Sequence, residues 1–320
     1  MDHRRILDDL AALVRDTYQL WDQEWVGFTW RNYTFEHVQR VRALALSLAR
    51  SEGADPLVVD YAGLLHDITK GYDGEIILKD GQRHLDENGH WRNEVLPPAR
   101  RNEVVDLYES LGLAGMLHNE SGALIADALL AGRDLPPALR ARVAAGIRAH
   151  LRPGADAPVE ERVLYDADTI DANIGLPALH RNLYINLHRE EAQRPDFREW
   201  IGPRRVEFLR WYLGERVPTW INTRRPEFLA RLTTAAGRRI GAERYDRLLG
   251  FVASLLAELP EYERASRHGG LAVVGYLIDN RANPRLSQQV AHLAGVWRKG
   301  EAGLARSLVE AFDLEMKGLQ

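Results

Sequence analysis

Helical periodicity is the feature that most restricts what this 320-residue chain can fold into. Apolar residues recur at three- and four-residue steps along most of the chain, and the strict alternation typical of half-buried strands is scarce. One such run begins at Thr34, a residue type that favours helix caps, and passes through Val41, Leu44 and Leu48 toward Gly53. The pattern predicts an all-α protein.

Proline and glycine mark the expected ends of the other helices. Asp55-Pro56 predicts the start of a second helix that ends at Gly71. Two turn signals, Asp80-Gly81 and Asn88-Gly89, then predict a short hairpin or irregular flap at about 71–95. Further helices are expected at about 101–113, 119–131, 137–150, 159–175, 204–214, 226–240, 243–258 and 285–312, with breaks that include Pro218 and Gly241.

The composition narrows the chemistry. The chain has no cysteine, so thiolate ligands and cysteine nucleophiles are excluded, and any metal must bind His, Asp or Glu. A formal net charge of −4 gives no support for dedicated nucleic-acid binding. The first residues show no signal-peptide pattern, and the apolar run 270–278 is too short to cross a bilayer. We therefore expect a cytoplasmic protein that does not enter a membrane.

Four histidines lie on predicted helix faces that also carry the apolar residues: His37, His66, His118 and His150. A single buried histidine is commonly a core residue or a helix cap. Four of them on four helices are harder to satisfy separately, because an unpaired buried polar group costs roughly 1–3 kcal/mol. A shared metal site would give all four a partner.

Carboxylates accompany these histidines. Asp67 directly follows His66, and adjacent helical residues project about 100° apart, so the two can border a site and reach two neighbouring ions rather than grip one. Asp166, Asp168 and Asp171 are interleaved with apolar residues on a later predicted helix. The spacing predicts acids that face the core rather than solvent.

The order of these residues resembles the HD-domain superfamily, which is named for its His-Asp doublet. LLHDITK (64–70) is similar to the doublet helix of that family, and YDADTID (165–171) is similar to its closing Asp segment. HNESGA (118–123) and IRAH (147–150) resemble the two extra-histidine segments of the dimetal branch, nearest to the bacterial symmetrical diadenosine-tetraphosphate hydrolases. The resemblance extends from about residue 30 to about residue 175.

The resemblance implies an HD helical bundle that holds one or two divalent ions, of Fe, Mn, Ni, Co, Zn or Mg. It implies a first ion bound by His37, His66, Asp67 and Asp168. Asp67 would bridge to a second ion, which would also bind His118 and His150. The implied activity is that of a hydrolase, in which a metal-activated water cleaves a nucleotide or another small phosphoester or phosphoanhydride.

Other side chains are candidates for contact with the substrate. Lys70 resembles the family's lysine after the doublet and would neutralise a phosphate oxygen, although a cation at a helix C-terminus also suits the helix dipole. The weaker candidates for substrate binding are Arg152, Arg92, His90 and Asp171.

Two features depart from the diadenosine-tetraphosphate branch. Leu151 follows His150 where that branch usually has Thr, and the flap and the long C-terminal half lie outside its compact fold. The residues leave two alternatives open: an HD-fold di-iron oxygenase, which uses the same N and O ligands, and a non-enzymatic nucleotide-sensing module. We expect an HD catalytic domain at 1–185 and a helical region at 186–320 that packs on it or serves a homo-oligomer.

Overall fold

The protein is described by a computed structural model that covers residues 2–26, 29–76, 78–80, 82–83, 93–194, 196–282, 285–297 and 303–318. Most of these residues are helical, and the strands form only two-stranded ladders, so the predicted all-α class is confirmed. Within the described ranges, no helix has both the length and the apolar character needed to cross a bilayer. The chain divides into two compact units, Met1–Asp168 and Thr169–Gln320. The functional boundary that we expect after residue 185 stays a prediction.

The first unit is a bundle of helices with short strands between them. Its helices are α1 (His3–Tyr18), α2 (Arg31–Glu52), α3 (Pro56–Leu65), α4 (Glu103–Ser110), α5 (His118–Ala131), α6 (Pro137–Ala149) and most of α7 (Val159–Asn173). Helix α3 packs against α1, α2 and α6, and α5 packs against α6. Because α3 is almost wholly buried, the residues that follow its last turn are delivered into the interior of the unit.

Helix α2 begins earlier than its sequence pattern predicts. It starts at Arg31, and the predicted cap Thr34 lies inside its first turn, where the hydroxyl donates to the carbonyl oxygen of Trp30 at 3.2 Å. The helix ends as predicted at Gly53, whose φ of 72° is a conformation that glycine adopts without a steric cost.

Helix α3 begins as predicted and ends sooner. The Asp55 carboxylate accepts a hydrogen bond from the backbone N–H of Leu57 at 3.0 Å and so caps the helix. The last helical residue is Leu65 rather than a residue near Gly71. His66 and Asp67 therefore lie in the turn that follows the helix, and a short 3₁₀ turn, Lys70–Tyr72, comes next.

The segment after this 3₁₀ turn contains the predicted hairpin. Strands β1 (Trp25–Val26) and β2 (Thr29–Trp30) precede it in the chain and pair with each other. β3 (Asp73–Ile76) pairs antiparallel with β6 (Asn93–Val95), and β4 (Leu78–Lys79) pairs with β5 (Gln82–Arg83). Lys79 lies opposite Gln82, on either side of the turn predicted at Asp80-Gly81, and Gly81 itself lies outside the described residues. The predicted turn at Asn88-Gly89 lies outside the described residues.

The second unit is also helical. Its helices are α8 (Leu176–Gln193), α9 (Phe197–Ile201), α10 (Arg205–Trp211), α11 (Val217–Glu227), α12 (Ala235–Glu258), α13 (Tyr262–His268), α14 (Gly270–Asp279), α15 (Leu286–Trp297) and α16 (Leu304–Met316). A π-helical turn, Tyr212–Arg216, joins α10 to α11, and 3₁₀ turns occupy Leu229–Arg231 and Leu259–Glu261.

Two predicted breaks in this unit are wrong. Gly241 lies within the single helix α12 and does not end it. A Cβ at this position would come 2.4 Å from Leu232 Cδ1, so glycine serves here to permit close packing. Pro218 continues a helical run, since the wider π turn before it accommodates a residue without an N–H donor. The single helix predicted at 285–312 is instead α15 and α16.

Candidate metal centre

The His-Asp doublet is fixed in the interior of the first unit. His66 and Asp67 have no exposed surface. The Nδ1 atom of His66 lies 2.9 Å from the carbonyl oxygen of Gly63, one turn earlier in α3, and the Tyr18 hydroxyl donates to the backbone carbonyl of Asp67. These contacts hold the His66 ring with Nε2 directed away from its own helix.

The two oxygens of Asp67 face two different pairs of imidazoles. Asp67 Oδ2 lies 3.7 Å from Nε2 of His37 and 3.5 Å from Nε2 of His66. Asp67 Oδ1 lies 3.5 Å from Nε2 of His118 and 3.7 Å from Nε2 of His150. A single carboxylate therefore lies between two sets of nitrogen donors.

Asp168 completes the set on one side. It is contributed by α7, and its Oδ1 atom lies 3.0 Å from Nε2 of His37 and 3.7 Å from Nε2 of His66. We call His37, His66 and Asp168 the first group. We call Asp67, His118 and His150 the second group. Within each group the potential ligand atoms lie within 4.8 Å of one another, which is close enough to surround one ion.

Several of these atoms are buried without a hydrogen-bond partner among the described residues: Nε2 of His66, His118 and His150, and Oδ1 of Asp67. Such an atom costs roughly 1–3 kcal/mol, and four of them at one place would strongly destabilise an ordinary core. Divalent cations bound by the two groups would satisfy all four atoms. The donors are imidazole nitrogens and carboxylate oxygens, which suit Mn²⁺, Fe²⁺, Co²⁺, Ni²⁺ or Zn²⁺. The residues therefore fit a metal centre.

Electrostatics keep the two carboxyl groups ionised. Burial alone raises the pKa of Asp67, but Lys70 and the surrounding imidazoles outweigh burial and hold this pKa well below its usual range. Burial also raises the pKa of Asp168, and the hydrogen bond from His37, with the charge of that ring, more than reverses the effect. Both side chains are therefore carboxylates at neutral pH.

Two of the buried rings, those of His66 and His150, are kept neutral by burial. Burial lowers the pKa of His66, and it lowers the pKa of His150 to about 3. The Nδ1 atom of His150 lies 2.6 Å from the carbonyl oxygen of Ile147, so the proton of the neutral ring is on Nδ1 and Nε2 carries a free electron pair. Neutral imidazole and carboxylate are the forms that bind metal ions.

Lys70 lies directly beside the doublet. Its Nζ atom is 2.8 Å from Asp67 Oδ2, and about a fifth of its side chain is exposed (20%). The Lys70 ammonium thus contacts Asp67, the carboxylate that lies between the two groups. Its predicted contact with a substrate phosphate stays a prediction.

The weaker substrate-binding candidates are scattered. Arg152 is exposed in the turn that follows α6, two residues after His150. Asp171 is buried and belongs to the second unit. His90 and Arg92 lie outside the described residues.

Sequence reasoning missed Asp73. This side chain is buried, and its Oδ2 atom lies 2.6 Å from Nδ1 of His118. Asp73 lies within the segment interpreted as a flap, and the local sequence KGYDGE carries no helical periodicity that would place it in a core. Asp67, Lys70 and Asp73 are charged residues spaced three apart, and this spacing is the sequence signal that could have placed Asp73 near the doublet.

The chain is similar to a known protein family and to several solved structures. Residues 34–173 match the HD domain family. Similar solved structures include a predicted HD superfamily hydrolase from an uncultured Thermotogales bacterium (22% identity, TM-score 0.43, covering 78% of this chain and 91% of that one). They also include Bacillus subtilis YpgQ (16%, TM-score 0.41, 81% and 98%) and YpgQ in complex with ADP (16%, TM-score 0.37, 81% and 98%).

No curated protein matches the chain. The nearer resemblance to diadenosine-tetraphosphate hydrolases stays a prediction. The part of this chain that matches the HD domain family, residues 34–173, contains all six side chains of the two groups, from His37 to Asp168.

Proposed function

We propose that this protein is a metal-dependent phosphohydrolase that cleaves a nucleotide or another small phosphoester or phosphoanhydride at a two-metal site. The observation that carries the proposal is the position of the Asp67 carboxylate, whose two oxygens face two separate pairs of imidazoles at 3.5–3.7 Å. A site for one ion would need only one such pair. The match of residues 34–173 to the HD domain family supports a metal-dependent phosphohydrolase in general.

The two groups would divide the ions between them. The first group and Asp67 Oδ2 would hold one ion, and His118, His150 and Asp67 Oδ1 would hold the other. Two bound divalent ions activate a water molecule and stabilise the negative charge that develops on a phosphoryl group. The first ion would have four protein ligands and the second would have three, so the second has more room for water or substrate.

The protein's own side chains prepare the site for an anionic substrate. Asp67 and Asp168 are held ionised and the rings of His66 and His150 are held neutral, so these four groups need not lose a proton before a cation binds. Lys70 adds a positive charge beside Asp67, and its partial exposure allows it to approach a phosphoryl oxygen. Arg152, exposed near His150, is a second candidate for contact with the substrate.

The test is hydrolysis of a substrate panel by defined metal forms. The protein is purified in chelator, reloaded with Mn²⁺, Fe²⁺, Co²⁺, Ni²⁺ or Zn²⁺, and assayed for release of phosphate or nucleotide from nucleoside mono-, di- and triphosphates, dinucleoside polyphosphates and simple phosphomonoesters. We expect turnover that the His66→Ala/Asp67→Ala double variant loses. The control is His268→Ala, which removes an exposed histidine of the second unit.

Two results would replace the proposal with one of its alternatives. Oxygen uptake by the iron-loaded protein, without hydrolysis of any phosphoester, would identify an oxygenase. Tight nucleotide binding without turnover in every metal form would identify a sensing module.

A further inference from the structure

His118 obtains its Nδ1 partner differently from two of the other histidines. His66 and His150 each follow the last turn of a helix, so the carbonyl oxygen three residues earlier is available to Nδ1, from Gly63 and Ile147 respectively. His118 is the first residue of α5, and a helix N-terminus has no preceding turn to supply a carbonyl. Its Nδ1 therefore needs an acceptor from elsewhere in the fold.

Asp73 is that acceptor. Its Oδ2 atom lies 2.6 Å from Nδ1 of His118, and both residues are buried. A carboxylate only accepts hydrogen bonds, so the ring donates through Nδ1, and Asp73 thereby selects the neutral tautomer that has its free electron pair on Nε2. The Nε2 atom in turn lies 3.5 Å from Oδ1 of Asp67 and has no hydrogen-bond partner among the described residues.

We propose that Asp73 is a positioning residue of the metal centre, which fixes the tautomer and the orientation of His118. Asp73 is not one of the six potential ligands, and it would act on the second group through His118. A carboxylate that accepts from Nδ1 also raises the basicity of Nε2 more than a backbone carbonyl in the same place would. The ring then binds a metal ion more strongly. The inference rests on the metal site of the proposed function and is independent of the reaction that the site performs.

The backbone at Asp73 is held by several contacts. Asp73 is the first residue of β3 and lies opposite Val95 of β6, at the start of the flap. Two further hydrogen bonds hold the neighbouring residues: the Leu96 N–H donates to the Tyr72 carbonyl at 2.8 Å, and the Trp21 indole donates to the Leu96 carbonyl at 3.0 Å. Asp73 is thus held on a fixed part of the backbone.

The experiment compares Asp73→Ala and the shape-conserving Asp73→Asn with the wild-type chain, and it uses two readouts that do not depend on turnover. The first is the side-chain ¹⁵N spectrum of His118 in the metal-free protein, which reports the ring tautomer. The second is titration with Zn²⁺ against a competing chromophoric chelator, which gives the number of ions bound and their affinities.

We expect wild-type His118 to carry its proton on Nδ1 and the chain to bind two Zn²⁺ ions. Asp73→Ala should lose this tautomer preference and bind the second ion about 10- to 100-fold more weakly, with the first ion unchanged. Asp73→Asn should also weaken the second ion, because its amide can donate to Nδ1 and stabilise the tautomer that cannot bind metal. The inference is overturned if both variants bind both ions within about threefold of wild type, or if the His118 signals are unchanged.

The matched control is Asn102→Ala, which removes the side chain that caps α4 in the same unit. This substitution leaves the contact between Asp73 and His118 in place. Like Asp73→Ala, Asn102→Ala removes a hydrogen-bonded side chain and should lower the free energy of unfolding, but it should keep wild-type Zn²⁺ binding. If Asn102→Ala weakens the second ion as much as Asp73→Ala, the effect is general destabilisation and the inference fails. Absence of phosphoester hydrolysis, combined with loss of the second ion in Asp73→Ala, would refute the proposed function alone.

Discussion

Acidification of the metal-free protein tests the buried imidazoles directly. Burial in the folded chain lowers the pKa of His150 from an ordinary value of 6.5 to about 3. Between these two values the unfolded chain binds a proton that the folded chain does not bind. The free energy of unfolding must therefore fall as pH falls through this window.

The size of the loss follows from the same two values. Proton linkage at His150 alone predicts that the free energy of unfolding decreases by about 2 kcal/mol from pH 7 to pH 5. His66 contributes in the same direction, since burial also lowers its pKa. The carboxyl groups add little in this range, because an unfolded Asp titrates near pH 3.9, about one unit below it.

Urea unfolding of chelator-treated protein at pH 7 and pH 5 measures this loss. His150→Gln removes the titrating ring, and His268→Gln removes an exposed ring as the matched control. The wild type and His268→Gln should each lose about 2 kcal/mol more than His150→Gln between the two pH values. Equal losses in all three proteins would mean that His150 is not held neutral by burial, and the argument for a lone pair at its Nε2 would fail.

Four further predictions concern the core, the caps and the site. Gly71→Ala should cost about 1–3 kcal/mol in urea unfolding, because a Cβ would come 2.6 Å from the Trp21 ring; an unchanged midpoint would show that the ring is free to move. Asp55→Ala should cost about 1 kcal/mol by the same measurement, through loss of the hydrogen bond that Leu57 N–H donates to the cap. Saturating metal at about 100 times its dissociation constant should raise the free energy of unfolding by about 2.7 kcal/mol over the chelated protein, and calorimetric curves that coincide with and without metal would contradict a built site. Lys70→Ala should lower kcat by about 10²-fold while Zn²⁺ stoichiometry stays at the wild-type value, and loss of an ion instead would make Lys70 a support for Asp67 rather than a phosphate contact.

Helix ends in the first unit were predictable where a residue acts locally. Asp55 caps α3 with its own side chain, and Gly53 ends α2 through a backbone conformation that suits glycine. Both effects involve only neighbours in the chain, so the sequence carries them. Thr34 was misassigned because a threonine hydroxyl can also donate to a carbonyl one turn earlier inside a helix.

Helix ends in the second unit depend on packing that the sequence does not show. Gly241 is typical of a helix break, yet it lies inside α12, where a Cβ would come 2.4 Å from Leu232 Cδ1. The same residue type thus ends one helix and admits a packed neighbour in another. Only the distance to a residue nine positions away along the chain distinguishes the two cases.

The sequence by itself determined the all-α class and the order of the side chains from His37 to Asp168 that resembles the HD family. Residue type and helical spacing are sufficient for both, because they reflect local backbone preference and the need of buried imidazoles for partners. It could not place Asp73, whose importance depends on a contact across 45 positions of the chain.

The tertiary structure alone decided how the donors are shared. Packing of α3 against α2 and α6 brings the turn after α3 between histidines from different helices, so that each oxygen of Asp67 faces its own pair of rings. Which oxygen faces which pair is set by the relative positions of whole helices. Those positions depend on the entire buried core and not on any spacing that can be read along the chain.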